Sequence, residues 1–418
     1  MKRVWMLNHY ALEPGGAGGT RHYSLSRHLP AHGWESTVVA ASTLHPSGRQ
    51  RLEPGETWRL ERLGGVDFLW LRARSYSGNG RDRVLNMLDY TYQALRSPAV
   101  KALPRPDVVI GSSVHPLAAW AGYRLAKRHS VPFVFEVRDL WPQTLVDMGR
   151  LGDRSPMTHL LRRMERALYD ASALVVTPLP RAADYIVPLG VPGEKVAWIS
   201  NGVELQDAEP PPFPAREGRP FTLMYFGAHG GANALDTVLD AMALVERTPA
   251  RPAIRLRLIG DGPLKPALIG RAAELGLANV SFEDPVPKER VPALAAEADA
   301  FVLSTLDLPK LYRYGISMNK LFDYFAAARP VILAAAAAND PVADAGAGPT
   351  VPPQQPERLA RAILDLAAMP HAERVRMGQA GYRHALEHYS YAALARELAR
   401  HLDAVAARPA LANAPRRA

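Results

Sequence analysis

Short apolar runs alternate with amphipathic helical segments along most of the chain, and this alternation restricts the fold more than any other feature. In the first half the strand-like runs cover residues 2–7, 36–40, 66–71, 107–111, 132–137, 173–177 and 196–200. In the second half they cover residues 221–226, 254–259, 279–282, 300–304 and 330–334. Strands that alternate with helices build parallel sheets with helices on both faces. The pattern therefore predicts an α/β fold of two Rossmann-like, doubly wound parallel-sheet domains, with a ligand site in the cleft that they face.

A proline-rich interruption separates the two halves. Residues 209–214 read Glu-Pro-Pro-Pro-Phe-Pro, a composition typical of a stiff linker. A chain of 418 residues is also too long for one typical hydrophobic core. We therefore predict an N-terminal domain at 1–200, a linker at 201–220, a second domain at 221–388, a helix at 389–407 that crosses back to the first domain, and a disordered tail at 408–418.

Positive charge is concentrated in the first half of the chain. Residues 1–200 contain 26 Lys or Arg against 17 Asp or Glu, whereas residues 201–418 contain 24 of each. This excess predicts that the first domain faces an anionic surface. No nucleic-acid-binding motif is present, so we expect no nucleic acid partner, and the anionic inner face of the cell membrane is the alternative.

The basic stretch 72–101 contains or borders Trp70, Tyr76, Tyr90 and Tyr92, a mixture that occurs at bilayer interfaces. The same mixture fits a solvated helix whose aromatic residues belong to the core. No apolar run reaches the roughly 18–20 residues of a membrane span, no signal peptide is recognisable, and no cysteine is present. We therefore expect a cytoplasmic protein that is peripheral at the inner face of the membrane.

The stretch from Leu311 to Ile332 shows the clearest sign of a ligand. A turn at Gly315 leads into a predicted helix with Ser317 as its N-cap, and Lys320 then occupies the third helical position, where a capping box has Glu or Gln. A cation in the first turn opposes the helix dipole by roughly 0.3–1 kcal/mol. Backbone N–H groups, the positive helix end and a lysine together suit a phosphate. An ordinary amphipathic helix after a loop is the alternative.

A glycine-rich loop follows the first predicted strand and precedes a predicted helix at 21–32. Its glycines include Gly15, Gly16, Gly18 and Gly19. Strand, glycine-rich turn and helix form the context in which backbone N–H groups approach a phosphate. The spacing matches neither a dinucleotide fingerprint nor a P-loop, so a flexible loop explains the sequence equally well.

Six short motifs occur one after another along the chain. They are His-Pro-Leu at 115–117, Phe-Glu-Val-Arg-Asp-Leu-Trp-Pro at 135–142, Ser-Asn-Gly-Val-Glu at 200–204, Tyr-Phe-Gly-Ala-His-Gly-Gly-Ala-Asn at 225–233, Gly-Asp-Gly-Pro at 260–263, and the stretch 311–332. Each is weak alone, but the set resembles the retaining family-4 glycosyltransferases, which have the GT-B fold. The Arg-Asp-Leu-Trp-Pro element is similar to the signature of one branch of that family, the WbuB-type transferases of bacterial surface polysaccharides.

The resemblance implies a nucleotide-diphospho-sugar donor, with a UDP-sugar as first choice, bound by the second domain. It places the diphosphate on the backbone N–H groups of 227–231 and the ribose on Asp323, the second acid of a Glu-x7-Glu motif. The implied donor-binding residues are Gly227, His229, Gly230, Gly231, Asn233, Asp261, Gly262, Val286, Tyr314, Gly315, Ile316, Ser317, Lys320 and Asp323.

The resemblance also implies that the first domain binds the acceptor, with Gly15, Gly16, Gly18 and Gly19 on the acceptor side. In the implied front-face substitution, the leaving phosphate helps to take the acceptor's proton, so stabilisation of charge matters more than a pair of carboxylates. No Asp-x-Asp motif is present, and we expect neither a metal nor a cofactor. The implied catalytic residues are His115, Arg138, Asp139 and Lys320. A loop or helix-capping histidine is the alternative for His115, and a structural salt bridge is the alternative for Arg138 with Asp139.

Two positions depart from the family pattern. Gly315 stands where the first acid of the Glu-x7-Glu motif is expected, so the backbone amides of Gly315 and Ile316 must contact the sugar. The Arg and Lys that usually follow the second-domain glycine-rich turn are replaced by Ala232 and Asn233. Lys320, Arg313 or Lys310 can supply the missing positive charge, and Lys320 is our first choice.

We expect a metal-independent glycosyltransferase, of hexosyl or N-acetylhexosaminyl type, that acts in O-antigen, capsule or lipopolysaccharide biosynthesis. Its acceptor would be a glycan linked to polyprenyl diphosphate. Two other classes stay open. A non-hydrolysing UDP-sugar 2-epimerase has the same architecture but needs several carboxylates around the sugar, and a non-catalytic protein would only bind the nucleotide-sugar.

Overall fold

The chain forms two compact units. The computed structural model describes residues 1–15, 20–45, 47–78, 80–113, 115–205, 208–215, 218–249 and 251–407. The first unit contains Met1–Asn201 and the chain from Tyr391 onward, and the second contains Gly202–Ser390. The described part of the predicted linker from Gly202 onward thus belongs to the second unit, and the predicted tail at 408–418 lies outside the described residues.

The first unit is built on an eight-stranded sheet. Its strands are β1 (Lys2–Leu7), β2 (Trp34–Ala41), β3 (Trp58–Leu63), β4 (Val66–Leu71), β5 (Val108–Ser112), β6 (Phe133–Glu136), β7 (Leu174–Thr177) and β8 (Val196–Trp198). Their order is β3-β4-β2-β1-β5-β6-β7-β8, and only the β3–β4 pair is antiparallel. The edge strand β3 is not predicted from the sequence, because its Trp-Arg-Leu-Glu-Arg-Leu pattern lacks the continuous apolar run of a buried parallel strand.

Helices cover both faces of this sheet. They are α1 (Arg21–His28), α2 (Arg81–Arg96), α3 (Pro98–Ala102), α4 (Pro116–His129), α5 (Gln143–Asp147), α6 (Pro156–Ala171) and α7 (Ala183–Ile186). Alternate residues of β5 show which helix lies on which face, since successive side chains point to opposite sides. Ile110 belongs to the same buried cluster as Leu25 of α1, whereas Gly111 contacts Ala119 of α4. Helix α2 packs beside α4, and α4 packs beside α6.

The second unit is built on a six-stranded, fully parallel sheet in the order β11-β10-β9-β12-β13-β14. Its strands are β9 (Phe221–Phe226), β10 (Ile254–Ile259), β11 (Val280–Glu283), β12 (Ala300–Ser304), β13 (Val331–Ala334) and β14 (Thr350–Val351). Its helices are α8 (Leu235–Glu246), α9 (Lys265–Glu274), α10 (Val291–Ala295), α11 (Pro309–Tyr312), α12 (Asn319–Ala326), α13 (Pro341–Ala345), α14 (Pro356–Ala368) and α15 (His371–His384). The order of the strands reverses between β9 and β12, which is where sheets of this class bind ligands.

The last helix, α16 (Tyr391–Ala406), belongs to the first unit and packs against α1. Leu394, Leu398 and Leu402 recur at every fourth position and are buried in the same cluster as β1 and β5. Asp403 accepts hydrogen bonds from Lys2 Nζ at 2.7 Å and from Trp34 Nε1 at 3.1 Å. These contacts attach the end of the chain to the sheet that its first strand helps to form.

Three of the four aromatic residues assigned to a bilayer interface are core residues. Trp70, Tyr76 and Tyr90 are buried, and the Tyr90 hydroxyl donates to Val39 O at 2.8 Å. For these three residues the structure therefore supports the second interpretation, in which the aromatic residues belong to the core. Tyr92 is 64% exposed. None of the described helices combines the length and the apolar character needed to cross a membrane.

Two glycines bring α4 into close contact with β5. A Cβ atom on Gly122 would lie 2.9 Å from Gly111 Cα, and one on Gly111 would lie 2.8 Å from Ala119 Cα. The helix therefore lies closer to the strand than any larger residue allows. This contact sets the position of the β5–α4 turn, where His115 is located.

We predict that Gly122→Ala lowers the free energy of unfolding by about 1–3 kcal/mol, because the added methyl overpacks the helix–strand contact. Gly270→Ala in α9 is the matched control, since a Cβ atom there meets nothing within 4 Å. It replaces a helical glycine in open space and is expected to raise stability by about 0.5–1 kcal/mol. Differential scanning calorimetry of both variants tests the pair, and equal shifts in one direction would contradict the packing argument.

Candidate functional site

The second-unit site lies where β9 and β12 separate. These strands pair only through Leu223 with Ala300 and Met224 with Phe301. Beyond that point the Tyr324 hydroxyl accepts from Phe226 N at 2.9 Å and donates to Phe226 O at 3.2 Å. A side chain thus replaces the missing strand partner for the backbone of Phe226.

Two glycine-rich loops interlock at this edge, one after β9 and one after β10. Gly227, Gly260 and Gly262 have φ values of 143°, 145° and 158°. A Cβ atom on Gly260 would overlap Gly227 O, and one on Gly262 would lie 2.6 Å from His229 O. The loops are joined by hydrogen bonds from Gly227 N to Ile259 O at 3.0 Å and from His229 N to Asp261 O at 2.8 Å. Only glycine permits this approach at positions 260 and 262.

The helix that contains Lys320 begins later than predicted. Its N-cap is Met318 and its first helical residue is Asn319, so the assignment of Ser317 as N-cap is wrong and Lys320 is the second helical residue. A long-range contact fixes the turn before the helix. Asn339 Oδ1 accepts from Ile316 N at 2.7 Å, and Asn339 Nδ2 donates to Ile316 O at 3.1 Å. This paired contact occupies the backbone groups of Ile316, and Gly315 N donates to Tyr312 O at 2.9 Å. The expectation that these two amides contact the sugar is therefore wrong.

The Lys320 ammonium group is held by two neutral oxygens. Its Nζ donates to Tyr225 OH at 2.8 Å and to Asn233 Oδ1 at 2.6 Å, and it lies 4.7 Å from the centre of the Tyr225 ring. Tyr225 OH and Asn233 Nδ2 both donate to Ala228 O at 2.8 Å, which leaves their oxygens free to accept from the lysine. Gly227 leaves space for the ammonium group, since a Cβ atom there would lie 3.2 Å from Nζ.

Burial lowers the pKa of Lys320 to about 8. Among the described residues no carboxylate lies within ion-pair distance of its Nζ. Burial also raises the pKa of Tyr225, so the phenol stays neutral. The ammonium group therefore stands in a partly desolvated position without a negative charge to balance it, which is the arrangement that favours an anionic ligand.

Asp323 lies three residues further along the same helix. Burial raises its pKa to about 6, and the nearby positive charge of Lys288 opposes this shift. Its carboxylate makes no hydrogen bond to any residue that the structure describes. A half-buried carboxylate with free acceptor oxygens suits a ligand that presents hydroxyl groups.

The remaining predicted donor-side residues lie in the same unit. Asp261 Oδ1 accepts from Gly262 N at 2.8 Å. Gly315 has a φ of 96° in the turn before Ile316, Tyr314 stacks against Arg313 at 4.6 Å, and Val286 packs against the apolar cluster below. The predicted Gly230 and Gly231 lie in the loop after β9, and Gly231 opens a short 3-10 turn.

His229 is fully buried, and neither ring nitrogen has a hydrogen-bond partner among the described residues. Burial lowers its pKa, and Lys265 adds to that effect. The ring is therefore neutral at pH 7. Lys265 Nζ itself donates to Gly260 O and Glu283 O, both at 2.9 Å, so it stabilises the second glycine-rich loop from behind.

The predicted site residues of the first unit follow strands β5 and β6, and His9, which contacts one of them, follows β1. His115 precedes α4, but its side chain does not cap that helix. It is buried, and its Nε2 lies 2.6 Å from His9 Nδ1. Burial, with Arg83 adding to it, lowers the pKa of His115 to about 3. The two rings are therefore neutral at pH 7, and one nitrogen of the pair donates to the other.

Arg138 and Asp139 do not form the predicted alternative salt bridge. No ion pair joins them in the part of the chain that the structure describes, and Arg138 is instead fixed through its backbone N–H, which donates to Ser113 Oγ at 3.1 Å. Asp139 is exposed. Of the predicted acceptor-side glycines, Gly15 is exposed with a φ of 82°, whereas Gly16, Gly18 and Gly19 lie outside the described residues.

A buried ionic network that the sequence does not reveal joins these elements. Arg21 Nε donates to Glu136 Oε1 at 2.8 Å, and the rest of its guanidinium group donates to Ile199 O and Ser200 O. His22 Nε2 lies 2.6 Å from Glu136 Oε2. Although burial alone would raise it, these neighbours hold the pKa of Glu136 well below its ordinary value.

Hydrogen bonding assigns the tautomer of His22. Asn8 Oδ1 accepts from Tyr10 N at 3.1 Å, so the Asn8 amide nitrogen faces His22 Nδ1 at 2.8 Å and donates to it. Nδ1 is therefore the acceptor, and the proton on Nε2 is donated to Glu136. This chain of contacts fixes the loop after β1 to the end of β6.

We predict that Glu136→Ala lowers the free energy of unfolding by about 3–5 kcal/mol, because it leaves the Arg21 charge buried without a partner. Glu397→Ala, which removes the carboxylate from an exposed pair with Arg400, is the control and should leave the melting temperature unchanged. Thermal unfolding followed by circular dichroism distinguishes them. A small effect of Glu136→Ala would show that water reaches Arg21.

Comparison with known proteins gives two family matches. Residues 16–202 match the glycosyl transferase 4-like domain, and residues 220–369 match glycosyl transferases group 1. The chain is also 29% identical over 287 residues to the probable glycosyltransferase WbjE of Pseudomonas aeruginosa, a match that covers 63% of this chain and 68% of that protein.

Several solved structures share the fold along nearly the whole chain. Sucrose-phosphate synthase from Thermosynechococcus elongatus has a TM-score of 0.70 at 19% identity and covers 97% of this chain and 100% of that one. Anabaena HepE in complex with UDP and glucose has a TM-score of 0.63 at 13% identity, with the same coverage. The lipopolysaccharide outer core galactosyltransferase WaaB has a TM-score of 0.58 at 14% identity and covers 96% of this chain and 100% of that one.

Proposed function

We propose the two substrates of this chain. The chain belongs to the glycosyltransferases of the GT-B fold, because its first half matches the glycosyl transferase 4-like domain and its second half matches glycosyl transferases group 1. The donor is a nucleotide-diphospho-sugar, with UDP as the nucleotide, and the acceptor is a lipid-linked glycan. We assign the chain to the branch that has an Arg-Asp-Leu-Trp-Pro element. That branch makes bacterial surface polysaccharides such as O-antigen and capsule.

The proposal depends chiefly on the uncompensated ammonium group of Lys320. It lies beside Gly227, in the first turn of α12 and next to the glycine-rich loop after β9. Free backbone N–H groups at a helix start, glycine-rich loops and a cation together bind phosphate. The HepE structure, which contains UDP and glucose on the same fold, supports UDP as the nucleotide.

In this proposal each donor group has a partner in the second unit. The diphosphate contacts Lys320 and the backbone N–H groups of Gly230 and Gly231. The ribose hydroxyls donate to Asp323, whose carboxylate oxygens are free to accept. The sugar is placed beside the turn at Gly315, where the family's first acid is missing, and the N–H groups of Gly315 and Ile316, which donate within the unit, are not assigned to it.

Transfer proceeds on the front face of the sugar and retains its configuration. The acceptor oxygen forms a bond to the anomeric carbon as the bond from that carbon to the β-phosphate oxygen breaks. The acceptor's proton passes to the leaving phosphate, and the charge that develops there is stabilised by Lys320. We assign no metal to this step. His115, Arg138 and Asp139 are assigned to the acceptor hydroxyl and the donor sugar.

The acceptor is assigned from location and similarity. The whole formal excess of positive charge lies in residues 1–200, which is consistent with an acceptor that is held at an anionic membrane surface. WaaB, a lipopolysaccharide outer core galactosyltransferase, and the probable glycosyltransferase WbjE are among the similar proteins. A glycan on polyprenyl diphosphate at the inner face of the membrane fits both observations.

We predict that Lys320→Met weakens the binding of UDP by roughly 10–100-fold, the range expected when a charged hydrogen bond is lost. Without ligand the pKa of Lys320 is about 8, and a bound diphosphate raises it. The affinity of the unmodified protein is therefore highest below pH 8 and falls as the pH rises above that value, while that of the variant loses this dependence.

Isothermal titration calorimetry with UDP between pH 7 and pH 10 measures both effects. The upper limit lies about two units above the lowered pKa of Lys320, where about 1% of the unliganded lysine keeps its charge. Lys310→Met, which removes an exposed lysine from the same stretch, is the control and should bind like the unmodified protein. Unchanged affinity in Lys320→Met would show that the diphosphate binds elsewhere. Sugar release from UDP-sugars by the unmodified protein separates a transferase from a protein that only binds the donor.

A further inference from the structure

A groove on the first unit is not used by any residue assigned to sugar transfer. It has a volume of about 460 Å³ and lies between helix α2 and the chain that follows strands β2 and β4. We call it the α2 groove. His115 follows β5 at the same edge of the sheet, and β4 and β5 are three strand spacings apart, or about 14 Å. A ligand that reaches from one to the other must therefore be extended.

The wall of the α2 groove that follows β4 is held in place by three other segments. Ala73 O accepts from Gln50 Nε2 at 2.9 Å. Arg74 N donates to Asp89 Oδ2 at 3.1 Å, and Arg74 O accepts from the side-chain amide of Asn86. These contacts pair the backbone of the wall without any ligand. A ligand thus meets a preformed surface and loses little affinity to ordering it.

The positive charges at the α2 groove already have partners. Arg74 Nε donates to Asp89 Oδ2 at 2.7 Å, and Arg74 Nη2 donates to Asp89 Oδ1 at 3.2 Å. Arg72 donates to the backbone carbonyl of Glu56. Its charge also lies near the Glu56 carboxylate, since it adds to the effect of Arg59 in lowering the pKa of that group. The groove therefore suits a ligand that is polar but uncharged.

Helix α2 contributes an aromatic ring and an amide to the groove. Asp89, Tyr92 and Gln93 are three and four positions apart, so they share one face of the helix. Tyr92 is 64% exposed. The side chains of Tyr92, Gln93 and Ser75, all of which line the groove, make no hydrogen bond to any residue that the structure describes. Their hydroxyl and amide groups are available to a ligand.

We propose that the α2 groove binds a sugar unit of the acceptor glycan that does not itself react. A sugar ring has a face of C–H groups, which packs on an aromatic ring, and a rim of hydroxyl groups, which donate and accept hydrogen bonds. Tyr92 supplies the ring, and Gln93 and Ser75 supply partners for the hydroxyl groups. The inference rests on the proposed function, because it requires an acceptor that is a glycan.

Other ligand classes fit the α2 groove less well. A nucleotide or a phosphorylated lipid needs a cation for its phosphate, and the guanidinium groups of Arg72 and Arg74 are engaged within the unit. An acyl chain needs an apolar lining, whereas the lining here is largely polar. A contact with a non-reacting sugar unit supplies binding energy away from the reaction, so it would make the enzyme selective for the length of the acceptor.

The test is binding to an array of oligosaccharides from bacterial surface polysaccharides, with and without an excess of UDP. The unmodified protein is expected to bind neutral oligosaccharides in both conditions. Calorimetry with the best of them then compares the variants. Tyr92→Ala should weaken binding by about tenfold, whereas Tyr92→Phe, which keeps the ring, should stay within about threefold. Gln93→Leu, which removes the amide but keeps a side chain of similar size, should weaken binding by about fivefold.

Leu160→Ala is the matched control. It removes a large side chain that is 53% exposed on α6 of the same unit and does not line the groove. It should bind the oligosaccharide like the unmodified protein. Equal losses in Leu160→Ala and Tyr92→Ala would overturn the proposal, and so would unchanged binding in Tyr92→Ala. Failure of the unmodified protein to bind any oligosaccharide on the array would overturn it as well.

Calorimetric titration with UDP keeps the two proposals apart. Every groove variant should bind UDP like the unmodified protein, because Tyr92 and Gln93 belong to the first unit and Lys320 belongs to the second. If the unmodified protein binds UDP but no oligosaccharide, the groove assignment fails and the donor assignment stands. If it binds an oligosaccharide through Tyr92 but does not bind UDP, the donor assignment fails and the groove assignment stands.

Discussion

The second-unit site depends on a lysine charge that the protein does not neutralise. Lys320 Nζ is held by Tyr225 and Asn233, whose oxygens accept from it because both side chains donate to Ala228 O. Neutral oxygens orient the ammonium group but do not balance it, so its desolvation cost appears as a lowered pKa. Gly227 and the start of α12 serve the same arrangement, the first by leaving space and the second by adding backbone donors. An anion bound here would balance the charge of the Lys320 ammonium group.

The sequence was sufficient to predict the architecture. Runs such as Phe221–Phe226, in which every residue is buried, are typical of central parallel strands, and the two-domain α/β fold is confirmed. The edge strand Trp58–Leu63 could not be predicted, because one of its faces is solvated and its charges obscure the pattern. The start of α12 was misplaced by one residue. The turn before it is held by Asn339, 23 residues away from Ile316, and the local sequence does not indicate this contact.

The same distinction applies to the candidate site. Lys320 was singled out because a cation is at odds with the first turn of a helix, and Asp323 because its position matches a local family motif. The partners that give them their properties, such as Tyr225, are distant in sequence and were not predicted. Arg21 and Glu136 are separated by 115 residues, and nothing in either segment indicates that they form a buried pair. Patterns within one element can be predicted from the sequence, whereas contacts between elements require the fold.

The interlocked glycines of the second unit have a mechanical consequence. Because the loop after β10 lies against the backbone of the loop after β9 at Gly260 and Gly262, neither loop can shift without displacing the other. The pair behaves as one rigid body with two ends. A ligand that displaced the loop at Gly230 would also displace Asp261, so a fit at one end of the proposed nucleotide would adjust the other end at the same time. Selectivity for the two ends would then evolve together rather than separately.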